Sequence, residues 1–156
     1  MLALAKVWAN GLVILIATMM SMFIIVRTVL QVPFAGSVTL WAFGVVLYLF
    51  FATALGVFLG TISRSMAQFA LLIILVIVVL QLLSGGSTPV ESQPEWLQSL
   101  TYLLPSRHFV SFSQVIIYRG GGFSAVWREF SMVAIIGLVF FTYSVAQFRK
   151  SIAVTK

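Results

Sequence analysis

Four stretches of the chain are apolar and free of charge, over Val7–Val26, Val38–Gly60, Ala67–Leu83 and Phe130–Phe148. Each approaches the roughly 20 residues that a helix needs to cross the hydrocarbon core of a bilayer. No water reaches peptide groups there, so each stretch must close its own hydrogen bonds. The period-two alternation of a membrane barrel is absent, which leaves helices. The first run is no secretory signal by pattern, because about 20 apolar residues follow Lys6 with no small-residue cleavage site before a polar stretch. The expected fold is all-α, a single membrane domain over residues 1–156 with four transmembrane helices.

The connections differ in kind. Gln31–Ser37 holds Pro33 and Gly36, and Thr61–Met66 surrounds Arg64; both are short and imply hairpins. Ser84–Glu129 is too polar to span and too apolar for a solvated loop. Gly85, Gly86 and Pro89 stop the third span there. A short helix is expected from Pro94, with Trp96, Leu100 and Leu103 or Leu104 on one face, ending at Pro105. A second, capped by Ser106, carries Phe109, Phe112 and Ile116 at helical spacing and ends at Gly120–Gly122. Two amphipathic helices broken at Pro105, over about 92–120, read as a re-entrant or interfacial hairpin on the outer face before the last span.

Composition sharpens this. Hydrophobic residues make up 62% and charged residues 8% of the 156 residues, so a soluble fold could not hide the apolar surface. The nine Lys and Arg are scattered, which excludes a nucleic-acid patch, and without Cys there are no disulfides or thiolate ligands. An even number of spans places both termini on one side. Lys6, Arg64, Arg149, Lys150 and Lys156 would share that side, against Arg27, Arg107, Arg119 and Arg128 with Glu91, Glu95 and Glu129 on the other. The excess of basic residues sets both termini and the Arg64 loop in the cytoplasm.

Candidate chemistry is sparse. His108 is the one histidine and has no partner set for a metal or a catalytic relay, so it reads as a structural donor, with ligand contact as the alternative. Glu91, Glu95 and Glu129 sit in exposed loop contexts and do not converge by spacing. No Lys follows a Gly-rich turn, so a phosphate-cradling loop is excluded and no cofactor is expected. Ala52, Gly56 and Gly60 form a small-residue ridge that packs within the chain or forms a dimer interface. Arg27 either snorkels to headgroups or faces a substrate path. Trp41, Tyr48, Trp96, Trp127 and Tyr143 include candidate interfacial anchors.

The order Leu83-Ser84-Gly85-Gly86-Ser87-Thr88-Pro89, then Pro94, then Leu104-Pro105-Ser106-Arg107-His108-Phe109, then Ile116-Ile117-Tyr118-Arg119-Gly120 and Trp127, resembles the ABC-2 type permease family of bacterial exporters. The resemblance implies a multi-pass inner-membrane subunit that pairs with a second permease subunit and with a separate ATP-binding subunit. It implies an external gate in the two short helices, Trp96–Leu104 and Ser106–Arg119, with Gly85, Gly86, Pro89, Pro105, His108, Phe109, Arg119 and Gly120 as gate residues. Arg64 becomes the cytoplasmic contact to the ATPase. The match covers the C-terminal part of the family pattern, so the chain is expected to be a fragment or one half of a split permease. A structural or assembly membrane protein without transport activity is the alternative of a different class, and an intramembrane enzyme is disfavoured because no nucleophile and base pair.

Overall fold

The computed structural model describes residues 2–29, 31, 33 and 35–154. Lys156, one of the basic residues assigned to the cytoplasm, lies outside the described residues. The regular structure is helical throughout the described residues: α1 (Leu2–Ile24), α2 (Val38–Ile62), α3 (Met66–Leu83), α4 (Glu95–Thr101), α5 (Pro105–Arg119) and α6 (Phe123–Val154). A π-helical turn, Ile25–Val29, extends α1, and a single 3₁₀ turn, Val90–Ser92, precedes α4. The chain is an all-α membrane protein, with α1, α2, α3 and α6 each long and apolar enough to cross a bilayer.

Local chemistry fixes the span ends. The Ser37 hydroxyl accepts from the Leu40 amide at 3.3 Å and the Ser65 hydroxyl from Gln68 N at 3.2 Å, so both α2 and α3 begin on serine caps. Gln68 turns back to accept from the Arg64 amide at 2.9 Å, closing the tight turn between them. The helix that carries the last apolar run begins before it: α6 starts at Phe123, seven residues ahead of Phe130. Arg128 and Glu129 end the uncharged run but do not break the helix, since one turn of charged side chains costs little near a helix end. Glu129 is consequently not a loop residue. It lies on α6, half-buried, and its Oε2 is buried without a hydrogen-bond partner.

The core is built by α2, α5 and α6, with α1 packed on one side. Phe112 of α5 is fully buried and meets Phe130 of α6 edge to face at 4.9 Å. Gly44 of α2 makes that meeting possible: a Cβ there would stand 2.5 Å from Phe112 Cε2 and 2.9 Å from Phe130 Cε1. Gly137 lets α6 approach Phe50 in the same way, its Cβ position being 3.0 Å from the Phe50 ring. The ridge read from the sequence is open instead. Ala52 and Gly60 are exposed, and a Cβ on Gly56 would meet nothing within 4 Å.

The exterior inverts the order of a soluble protein. No residue of α3 is buried, and Leu71, Ile74 and Leu75 stand more than half exposed, as do Leu12, Val13 and Ile16 of α1. Lipid is the solvent that tolerates such surfaces. Among the expected aromatic anchors, Trp96, Trp127 and Tyr143 are exposed, whereas Trp41 is buried in the core and Tyr48 is half-buried against α5. Trp41 is held by a specific bond, its Nε1 donating to Ser113 Oγ at 3.1 Å.

Candidate functional site

Between α3 and α6 the chain folds α4 and α5 into a hairpin, and the turn between them is set by proline at a different register from the one expected. Pro105 is the first residue of α5 and does not lie in the break. The residue before a proline is pushed out of helical geometry, and Leu104 is accordingly extended at φ −94°, ψ 120°. Helix α4 therefore ends at Thr101, short of Pro105. Ser106, expected as the cap of α5, lies inside its first turn; Leu104 holds the cap position without a side-chain bond.

Freed from capping, Ser106 donates to the Leu80 carbonyl at 3.2 Å and so ties α5 to α3. Its neighbours close the hairpin. Arg107 Nη1 donates to the Gln98 carbonyl at 2.6 Å and to Thr101 Oγ1, while the guanidinium lies 3.8 Å from the Tyr102 ring centroid. His108 Nε2 donates to the Tyr102 carbonyl at 2.8 Å, since a carbonyl can only accept. Two consecutive side chains of α5 thus take up carbonyls at the C-terminal end of α4, where unpaired acceptors and the negative end of the helix dipole favour donors and positive charge. A sequence pattern of face and spacing does not show which carbonyl a long side chain such as that of Arg107 reaches.

The other residues of the hairpin split by position. Phe109 stacks 4.6 Å from Tyr48 of α2 and 5.2 Å from Phe112, carrying the hairpin into the core. Gly120 ends α5 in the left-handed region at φ +65°, its amide reaching Val115 O, with the loop carbonyl of Ala35 2.9 Å from where a Cβ would sit. Ala35 N in turn donates to Ile117 O at 3.1 Å, so the connection after α1 rests on the end of α5. Arg119 is exposed. Gly85, at φ +85°, turns the chain after α3, the Gly86 amide donates to Ser84 Oγ at 3.3 Å, and Pro89 precedes the 3₁₀ turn. These three are not part of the α4–α5 contact. The apolar face of α4 points outward, with Trp96, Leu100 and Leu103 all more than half exposed. Among the described residues no three His, Asp or Glu side chains gather into a metal-ligand set.

Four helices long and apolar enough to span, with two short helices before the last of them, define an all-α membrane protein. The chain belongs to the ABC-2 type transporter family, whose model matches residues 1–118. It is 49% identical over 149 residues to the inner membrane transport permease YhhJ of Escherichia coli (strain K12), covering 96% of this chain and 40% of that protein. It is also 30% identical over 122 residues to the probable multidrug ABC transporter permease YbhR of the same organism, covering 78% of this chain and 33% of the relative. The chain therefore spans well under half the length of these curated relatives. No solved structure matches it significantly.

Proposed function

We propose that these four spans form one membrane domain of the permease part of an ATP-driven exporter in the bacterial inner membrane, with both termini cytoplasmic and the α4–α5 hairpin as its outer gate. The observation that carries the gate is the double capping of α4 by Arg107 and His108, with Ser106 bonded to α3. A hairpin fixed this way is a rigid body that moves with α3 and α5, as a gate requires. Family membership and the permease names of the relatives support the transport role.

ATP would be hydrolysed in a separate ATP-binding subunit, reached through the cytoplasmic turn at Arg64, whose backbone is fixed by Gln68 while its side chain is exposed. Nucleotide binding would draw the cytoplasmic ends together and rock the spans against those of a second permease subunit. The open ridge of Ala52, Gly56 and Gly60 offers that subunit a close approach. The test is cargo efflux from cells carrying the complete permease and ATPase set. Pro105→Ala releases Leu104 from its extended geometry and should depress efflux at unchanged subunit abundance, as should Arg119→Ala if its charge anchors the hairpin at headgroups. Normal efflux by both variants at normal abundance would reduce the hairpin to packing.

A further inference from the structure

Helix α3 stands off from the rest of the bundle. It buries none of its residues, and among the described residues its one side-chain hydrogen bond to another span or the hairpin is the Ser106 contact at Leu80. A crevice opens on each side of that contact. On one side a cavity of about 340 Å³ is lined wholly by apolar side chains, among them Phe51, Leu55, Val79 and Phe140. On the other a cavity of about 250 Å³ lies between α3, α2 and α5. There Ile77, Leu80, Phe109 and Val110 meet Tyr48, Gln81, Ser84 and Ser106.

The second cavity has a chemical signature. Ser84 and Ser106 already donate to main-chain carbonyls, to Gln81 O at 2.9 Å and to Leu80 O at 3.2 Å. The Tyr48 phenol and the Gln81 amide have no partner among the described residues; Tyr48 is half-buried, Gln81 is exposed in the last turn of α3, and both line the hollow. Where such groups face hydrocarbon, a hydrogen-bonding guest is favoured. Among the described residues no charged side chain lines either cavity to neutralise an ion. Each volume is near the lower end of the roughly 300–1,000 Å³ of small-molecule sites. A weakly held wall gives the guest a way in from the bilayer.

We infer that the crevice behind α3 binds an amphipath with one uncharged hydrogen-bonding head and an apolar chain, the head at Tyr48 and Gln81 and the chain along Ile77, Leu80 and Val110 toward the bilayer. The glycerol ester region of a membrane lipid and a free neutral amphiphile share this chemistry. The site is independent of whether the chain exports anything, so it is tested by binding and not by efflux.

The probe is a monoacylglycerol with a diazirine in its acyl chain, added to the full chain in phosphatidylcholine nanodiscs, with labelled peptides located by mass spectrometry. Label should concentrate around Leu80 and Phe109. Unlabelled monoacylglycerol should compete, and the anionic fatty acid of equal length should not. The near-isosteric double variant Tyr48→Phe, Gln81→Leu should lower specific labelling about tenfold, the order expected for two lost hydrogen bonds. Val110→Trp, which fills the cavity and leaves both polar groups in place, should abolish it and serves if the double variant does not fold. Native mass spectrometry separates the sources: retained phospholipid at one per chain assigns the site to a bilayer lipid, and labelling without it assigns the site to a free amphiphile. Label spread along the exposed faces of α1 and α3 and indifferent to both variants, or equal competition by the fatty acid, overturns the proposal.

Discussion

Replacing Arg107 by Ala should detach α4 from α5 while the spans stay folded. The guanidinium supplies two hydrogen bonds, to the Gln98 carbonyl at 2.6 Å and to Thr101 Oγ1, and covers the Tyr102 ring at 3.8 Å. Hydrogen bonds involving a charged group contribute about 1.5–3 kcal/mol and an exposed cation–π contact about 0.5–1 kcal/mol. The loss falls below the sum of these, because Thr101 Oγ1 still donates to Gln98 O at 2.7 Å and no acceptor is left bare. A local cost of about 2–3 kcal/mol corresponds to a roughly 30- to 150-fold shift in the opening equilibrium. Hydrogen exchange in detergent reads it directly at Leu103 and Leu104, whose amides donate to Leu100 O and Thr101 O at 3.1 and 2.9 Å. Exchange at α4 should rise by that factor and exchange in α2 should not. Arg107→Lys, which keeps the charge and loses the planar fork, should fall between. Unchanged exchange at α4 in the Ala variant, or equal acceleration in α2, would refute the clamp.

Core packing is tested by a contrast of two glycines: Gly44→Ala forces a methyl against Phe112 and Phe130 and should cost about 1–3 kcal/mol, lowering the melting temperature in detergent, while Gly56→Ala, facing open space, should leave the isolated chain nearly unchanged. Equal effects would remove Gly44 from the packing argument. Topology is tested by alkaline phosphatase fusions, expected to be inactive at the C-terminus and active within Gly86–Pro89; the reverse pattern would invert the bundle. The purified chain should not turn over ATP, and turnover abolished by a single substitution in it would show a nucleotide site that the absent P-loop denies.

The number and class of the elements were legible in the sequence because lipid imposes a one-dimensional rule. A span must be apolar over a fixed length and must bond to itself, so composition and run length show the four candidate spans. Proline and glycine marked the hairpin for the same local reason, each acting through its own backbone geometry at Leu104, Pro105 and Gly120. Helix α6 begins before the uncharged run of Phe130–Phe148 because charge ends an apolar run without ending a helix, which puts Glu129 on the helix and not in a loop. The contacts across helices lay beyond any local rule. That Gly44 and not Gly56 admits a neighbour, that Arg107 and His108 cap α4, and that Ser106 bonds α3 instead of capping α5 depend on which faces meet. Facing is settled by packing among aromatic side chains far apart in the chain, such as Phe112 and Phe130 or Tyr48 and Phe109, and only the tertiary structure holds that information.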